Sequence, residues 1–202
     1  LYLAGVHVDQ YRDPAVMPDA YWLEALKRNP KHAPSLLGLA RYNYTMMNLD
    51  AAKKYALKAI DALTIFNERL ENGDAFYLYA LICEALGEDE EAYNYFYKAA
   101  WCGSTVAKAM SRIACLDLKK GDKKEAIRHA NWALKHDILN PIAPVVKMLA
   151  DPAKAAAIAE SVLAEDPLNY LVKYLANSEN FFADIQTEGA QVALDMVVDF
   201  AS

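Results

Sequence analysis

Two stretches of this chain share the same skeleton of small and charged residues at a fixed interval. Gly87 begins "GEDEEAYNYFYKAA" and Gly121 begins "GDKKEAIRHANWAL", 34 residues further on. A glutamate and two alanines follow both glycines at the same spacing. A repeat of this length is typical of a helical hairpin that stacks on its neighbours, because one hairpin alone cannot bury its apolar face. The interval therefore predicts an array of hairpins.

An alanine near the end of each second helix carries the interval along the chain. Ala25, Ala59, Ala99 and Ala133 follow one another at intervals of 34, 40 and 34 residues. The longer middle interval contains "TIFNERLENGD", whose asparagine–glycine pair is typical of a turn. The sequence thus predicts six extra residues in the connection between the second and third hairpins.

The aromatic residues after Gly87 are expected on a helix. Alternating tyrosines in "YNYFY" are typical of a strand, but Tyr93, Phe96 and Tyr97 also share one face of a helix. Gly87 is the predicted C-cap of the preceding helix, because glycine adopts a left-handed backbone without a Cβ penalty. The acidic residues that follow it are expected in the first turn of the next helix, where the helix dipole favours negative charge.

These features resemble the tetratricopeptide repeat, a pair of antiparallel helices with small residues where the helices cross, a glycine at the turn and an aromatic residue in the second helix. Met47 stands where the second repeat should have its glycine, and Ala130 replaces the aromatic residue of the fourth. The positions that define the repeats are Ala25, Ala52, Ala59, Gly87, Ala92, Phe96, Ala99, Gly121, Ala126 and Ala133.

The resemblance implies an all-α fold over residues 1–202, a right-handed superhelix of about five stacked antiparallel helical hairpins (an α–α solenoid). Regular repeats are expected over about 1–140 and irregular hairpins over 141–202, truncated at the C-terminus. In the irregular part, Asp151 is the predicted N-cap and Pro152 the first residue of a helix in "DPAKAAAIAESVLAEDP". Further helices are expected in "PIAPVVKMLA", "NYLVKYLA" and "TEGAQVALDMVVDFAS".

The stretches "LYLAGVHVDQYR", "EALKRNP" and "ALDMVVDFAS" also look like the helical region of large bacterial proteins with a β-sandwich domain, sugar-related in function, ahead of the repeats. This resemblance implies that the sequence, which begins with Leu1, is the middle of a longer chain.

The resemblance also implies a binding surface, because arrays of this kind bind proteins or peptides on the concave face that their first helices line. Tyrosine and arginine are frequent anchors of binding, and basic side chains recognise carboxylates. The alternative is that these side chains only solvate helix faces. By analogy with the family, the predicted groove residues are His7, Tyr11, Arg41, Tyr44, Tyr77, Glu84, Lys108, Ser111 and Arg112.

Only Lys108 and Arg112 match the family's carboxylate clamp, so binding of chaperone tails is not expected. A net charge of −6 disfavours nucleic acid as a partner. No apolar stretch approaches the ~18 residues of a membrane span, so no membrane partner is expected. The three cysteines lie in no metal-like spacing and favour a reducing compartment such as the cytoplasm, with a redox pair as the alternative.

Catalysis is not expected. The sequence contains no nucleophile elbow, P-loop or dinucleotide fingerprint, so it predicts neither a catalytic residue nor a cofactor. His129 and His136 lack a third ligand, which disfavours a metal site. The leading hypothesis is a non-catalytic scaffold for a protein, a peptide or another domain of its own chain. The alternative is a rigid arm that positions the sugar-related β-sandwich domain.

Overall fold

The computed structural model of the protein describes residues 1–11, 16–66 and 70–176. These residues form α-helices without any β-strand, and none of the helices is both long and apolar enough to cross a membrane. A 3₁₀ helix, Pro152–Lys154, precedes the tenth α-helix. The α-helices are α1 (Tyr2–Tyr11), α2 (Pro18–Arg28), α3 (Ala33–Thr45), α4 (Leu49–Thr64), α5 (Asp74–Ala85), α6 (Asp89–Ala99), α7 (Val106–Lys119), α8 (Lys123–His136), α9 (Ile142–Ala150), α10 (Ala155–Glu165) and α11 (Tyr170–Ala176).

The chain forms two compact units, Leu1–Val106 and Ala107–Ser202. The first unit holds three hairpins, α1–α2, α3–α4 and α5–α6, and each helix packs on the next in the chain. In addition, α1 contacts α3 and α3 contacts α5, so the first helices of the three hairpins lie side by side. We call the face formed by α1, α3 and α5 the A layer.

The alanines that define the repeats are buried where the helices cross. Seven residues at these positions have no exposed surface: Ala52, Ala59, Ala92, Phe96, Ala99, Ala126 and Ala133. Ala25, in the first hairpin, is only half-buried. Phe96 fills the space between α5 and α6, and its ring centroid lies 5.5 Å from that of Tyr77. The helical placement of "YNYFY" is confirmed, and Tyr93 and Tyr97 pack as neighbours one turn apart.

The turn between α5 and α6 has the geometry that Gly87 predicts. Its φ angle is +76°, in the left-handed region. The Gly87 N–H donates to the Glu84 carbonyl at 3.0 Å, and the Glu88 N–H donates to the Cys83 carbonyl at 2.9 Å. These two bonds satisfy carbonyls that the end of α5 would otherwise leave unpaired. The α7–α8 turn repeats this arrangement around Gly121, whose φ angle is +83°.

The turn between α3 and α4 has the same geometry without a glycine. Met47 has a φ angle of +57°, and no other non-glycine residue of the described chain has a positive φ. Its N–H donates to the Tyr44 carbonyl at 3.0 Å, and the Asn48 N–H donates to the Asn43 carbonyl at 2.8 Å. A side chain in this conformation costs energy that glycine avoids. The repeat therefore imposes the turn even where the sequence does not favour it.

The longer connection between the second and third hairpins is confirmed, because α4 ends at Thr64 and α5 begins at Asp74. Its last residue, Gly73, lies against Thr105, and an added Cβ would clash with the threonine hydroxyl. That hydroxyl donates to the Ala99 carbonyl at 2.5 Å. Gly73 is thus small because the end of the third hairpin approaches it closely.

Trp22 joins the first two hairpins and is 2 % exposed. Its indole Nε1 donates to the Tyr2 carbonyl at 3.3 Å. The ring lies against Gly5 of α1 and Gly38 of α3, and an added Cβ at Gly38 would lie 2.8 Å from the indole. The two glycines leave the room that the large ring needs.

In the second unit, α9 packs against α8, α10 and α11. A core cluster joins the last three helices, formed by Val145, Met148, Ala159, Leu171 and Val172. The helices expected in "PIAPVVKMLA" and "NYLVKYLA" are confirmed as α9 and α11. The helix expected at 187–202 lies outside the described residues.

Asp151 and Pro152 hold the predicted N-cap and first helical positions, but the turn that they begin is the 3₁₀ helix Pro152–Lys154. The α-helix itself starts at Ala155. The Asp151 side chain makes no capping hydrogen bond in this turn. Its carboxylate instead pairs with the Lys154 ammonium at 2.8 Å.

Candidate functional site

The A layer of the first unit carries six of the predicted groove residues. On α1, His7 and Tyr11 are both exposed, and their ring centroids lie 4.4 Å apart. Tyr11 is 74 % exposed. The spacing of four residues places the two rings on one face of the helix. They form a pair of aromatic side chains that solvent reaches directly.

The other groove residues of this unit lie on α3 and α5. Arg41 is exposed, whereas Tyr44, Tyr77 and Glu84 are half-buried. Tyr77 packs against Phe96, so part of its ring belongs to the core of the third hairpin. Because α3 contacts both α1 and α5, the helices that carry these residues are neighbours.

The remaining predicted groove residues lie on α7 of the second unit. Lys108 and Arg112 are half-buried. Ser111 is 1 % exposed, and its hydroxyl donates to the Lys108 carbonyl at 2.9 Å. Ser111 therefore offers a ligand neither exposed surface nor a free hydroxyl hydrogen.

A polar cluster that sequence reasoning missed links the second hairpin to the third. We call it the Lys53 cluster, formed by Lys53, Tyr79, Cys83, Glu88 and Glu91. The Lys53 ammonium bonds to the Glu88 carboxylate and lies 3.5 Å from that of Glu91. The Tyr79 hydroxyl donates to the other Glu91 oxygen at 2.5 Å. These contacts join α4 to both helices of the next hairpin.

The electrostatics of the Lys53 cluster follow from its partial burial. The hydrogen bond with Glu88 raises the pKa of Lys53, and the same bond lowers the pKa of Glu88. Burial raises the pKa of the Cys83 thiol to about 12. Burial, followed by the hydrogen bond to Glu91, raises the pKa of Tyr79. At neutral pH Lys53 and Glu88 are charged, whereas the thiol and phenol keep their protons.

One sulfur and two carboxylates of this cluster have the spacing of metal ligands. The Cys83 Sγ and one oxygen each from Glu88 and Glu91 lie within 4.8 Å of one another. The Lys53 ammonium lies against both carboxylates, where a metal ion would otherwise have to sit. Cys83 has no exposed surface and is protonated, which also argues against a nucleophile. The cluster is best explained as a contact that holds two hairpins together.

A second buried pair lies between α7 and α8. His129 has no exposed surface, and its Nδ1 lies 2.6 Å from the Asp117 carboxylate. The Arg128 guanidinium lies 2.9 Å from the other ring nitrogen. His129 therefore packs between the two helices. His136 is exposed, so the two histidines of α8 do not share a surface.

Three solved structures share this arrangement of hairpins. YrrB, described as a TPR protein with an unusual peptide-binding site, matches 78% of this chain and 81% of its own at 18% identity and a TM-score of 0.61. The chain has the tetratricopeptide-repeat fold. PilF of Pseudomonas aeruginosa matches 95% of this chain and 86% of its own, with 15% identity and a TM-score of 0.70. MamA matches 86% and 96%, with 14% identity and a TM-score of 0.65.

Identities this low establish the tetratricopeptide-repeat fold and no more. No family model matches the sequence. The fold confirms the all-α hairpin array that the 34-residue interval predicts. It also explains why the Lys53 cluster forms, since Lys53 lies 35 residues before Glu88 and 38 before Glu91. Residues about one repeat apart occupy adjacent hairpins, and this is the signal by which the sequence could have revealed the pair.

Proposed function

We propose that the chain is a non-catalytic scaffold that binds a protein or peptide on the A layer of its first unit. The observation that carries this proposal is the exposed pair of rings at His7 and Tyr11 on a helix whose neighbour, α3, presents Arg41 to solvent. Exposed aromatic and arginine side chains on a rigid surface are the usual anchors of binding interfaces.

The chemistry of the A layer favours a peptide with an apolar or aromatic residue and a carboxylate. The rings of His7 and Tyr11 offer area for stacking, and the Arg41 guanidinium offers a bidentate partner for a carboxylate. Tyr44, Tyr77 and Glu84 add polar tips that can fix the orientation of a peptide backbone. The description of YrrB as a protein with a peptide-binding site supports this class of ligand. Lys108 and Arg112 are proposed as additional basic positions of the second unit.

The non-catalytic part of the proposal is supported by the burial of two groups that could otherwise be reactive. Cys83 is buried and protonated, and the Asp117–His129 pair is buried between two helices. A catalytic acid, base or nucleophile must reach the substrate that it transforms. Neither group meets this condition.

The test compares two charge reversals in the same unit. Arg41→Glu alters the A layer, whereas Lys54→Glu makes the same change on α4, outside that layer, at a position that is also exposed. We expect chemical cross-linking in a bacterial lysate to yield a protein captured by the parent and by Lys54→Glu but lost from Arg41→Glu. Circular dichroism must show equal helix content in all three.

Capture that is equal in all three proteins, or equally lost from both variants, would contradict binding on the A layer. A Tyr11→Ala variant tests the aromatic part of the A layer. It removes a ring that is 74 % exposed, so the core stays intact. If Tyr11→Ala also leaves capture unchanged, the alternative of a rigid arm for a neighbouring sugar-related domain becomes the better account.

A further inference from the structure

A groove in the second unit shares no lining residue with the A layer. Its volume is about 440 Å³, and its walls come from the end of α8 and one face of α10, with α9 as its floor. The apolar part of the lining is formed by Leu134, Ile138, Leu139, Pro144, Ala157, Ile158 and Val162. Both walls are therefore second helices of their hairpins, whereas the A layer consists of first helices.

The rim of the groove is more apolar than an ordinary surface. Ile138 and Leu139, in the connection from α8 to α9, are 71 % and 58 % exposed. Ile158 and Val162, four residues apart on α10, are half-buried and face the same space. An apolar surface of this kind that contains a concavity is typical of a binding site.

The charged residues of the groove are divided between its two ends. Lys154 directly precedes α10, whereas Glu165 is its last residue and Asp166 follows it, and all three line the groove. Lys147 lines the groove from α9. The groove thus has a basic end and an acidic end.

Lys147 lacks an ion-pair partner among the residues that the structure describes. Its side chain is half-buried on the floor of the groove. Lys154, in contrast, pairs with Asp151 at 2.8 Å. A half-buried ammonium beside apolar side chains gains most from a carboxylate that comes with its own apolar surface.

We propose that this groove binds an amphipathic helix of a partner protein, with the apolar face of the helix on Ile158 and Val162 and a carboxylate of the helix against Lys147. The length of α10, 11 residues or about 16 Å at ~1.5 Å per residue, matches a partner helix of about three turns. Helices of this kind bind grooves through apolar residues at i, i+3, i+4 and i+7. The site is independent of the A layer.

The first experiment uses a synthetic helical peptide labelled with fluorescein, with leucines at those four positions, a glutamate near one end and a lysine near the other. A matched peptide exchanges the two charges. Fluorescence anisotropy with the full chain should show that the exchanged peptide binds about tenfold more weakly. With Lys147→Glu the preference for the first peptide should disappear or reverse. Lys135→Glu, an exposed lysine on α8 that does not line the groove, is the control and should leave the preference unchanged.

The second experiment tests the apolar rim. Ile138→Ser with Leu139→Ser should weaken binding of the first peptide by at least about tenfold, because both residues lose contact area with the helix. Leu168→Ser is the matched control, since Leu168 is 67 % exposed in the same unit but does not line the groove. All of these residues are largely exposed, so the variants should fold as the parent does.

Three results would overturn the proposal. The first is equal binding of the two peptides to the parent chain. The second is binding that Leu168→Ser weakens as much as the rim variant does. The third is a chain that sediments as a dimer by itself and becomes a monomer in the rim variant, which would show that a second copy occupies the groove. Loss of the peptide preference with Lys147→Glu would support the proposal whatever Arg41→Glu does to the A layer.

Discussion

The second and third hairpins share their turn conformation and their buried helix crossings. They differ in side chain at two equivalent positions, and equivalent residues of the two hairpins are 40 apart in the sequence. Both pairs of helices cross at fully buried alanines, and both turns place one residue in the left-handed region. Yet the turn residue is Met47 in one hairpin and Gly87 in the other, and Phe96 stands where the second hairpin has Ala56. The hairpin is therefore determined by helix crossings and turn hydrogen bonds that two quite different side-chain sets support.

The largest effect is expected from making the third hairpin like the second at its aromatic position. Phe96→Ala should lower the free energy of unfolding by about 3–5 kcal/mol, because Phe96 is fully buried and its removal leaves a cavity between α5 and α6. Urea unfolding followed by circular dichroism measures the change. Asn94→Ala, at an exposed position two residues away, is the control. A loss below about 1 kcal/mol would mean that the surrounding helices can close the space as they do around Ala56.

The two hairpins should respond alike at their common alanine. Ala99→Leu should cost on the order of 1–3 kcal/mol because the added atoms clash where two helices cross, and Ala59→Leu should cost a similar amount. Thermal melting of both variants checks the expectation. A melting temperature equal to that of the parent for either variant would show that its crossing is looser than the burial indicates.

The turns should respond in opposite directions. Met47→Gly should raise the free energy of unfolding by up to about 1 kcal/mol, because it relieves a left-handed conformation at a side chain that is 73 % exposed. Gly87→Met should lower it by about 1–2 kcal/mol. An added Cβ at Gly87 would meet nothing within 4 Å, so the loss would come from the backbone alone. Equal changes in both variants would refute this explanation of the difference between the turns.

The smallest effect concerns the contact that joins these two hairpins. The pKa of Glu88 lies below its ordinary value of 4.5, so its bond to Lys53 stabilises the fold above that pH and is lost as pH falls through the lowered value. The pKa of Lys53 lies above 10.5, so the same bond is lost again at strongly alkaline pH. Because Glu88 is well exposed to solvent, the gain should be only a few tenths of a kcal/mol.

Without Lys53, the Glu88–Lys53 bond no longer contributes to the loss of stability in acid. Lys53→Met should also return the pKa of Glu88 toward its ordinary value. Titration of the Glu88 carboxyl carbon by NMR measures the second change directly. Lys54→Met, at the exposed neighbour of Lys53, is the control and should leave the Glu88 titration unchanged. A Glu88 pKa that does not move in Lys53→Met would show that the ion pair does not form in solution.

The features that recur at the repeat interval could be predicted from the sequence. Gly87, Gly121 and the buried alanines are found by aligning one hairpin with the next. The same alignment places Met47 in its turn, although a residue with a side chain disfavours the left-handed conformation found there. The 3₁₀ geometry of the turn after Asp151 could not be predicted, because nothing in the sequence separates Pro152–Lys154 from the α-helix that follows it.

The sites depend on contacts that no single helix contains. Ser111 shares the spacing of groove residues, but the burial that removes it from the surface depends on the packing around α7. Lys53 looks like an ordinary helix lysine until the next hairpin brings Glu88 and Glu91 to it. The groove beside Lys147 likewise needs three helices, and the aliphatic residues that line it cannot be distinguished in sequence from those that fill a core.

Trp22, whose ring packs between Gly5 and Gly38, can serve as an intrinsic fluorescence probe. Trp22 is 2 % exposed, whereas Trp101 and Trp132 are 57 % and 42 % exposed. An indole shielded from water emits at shorter wavelength than one in contact with it. Replacing the two exposed tryptophans with phenylalanine would leave one emitter, whose red shift during denaturation reports when the first hairpin separates from the second. The stepwise or concerted melting of the array could then be followed from one end without any attached dye.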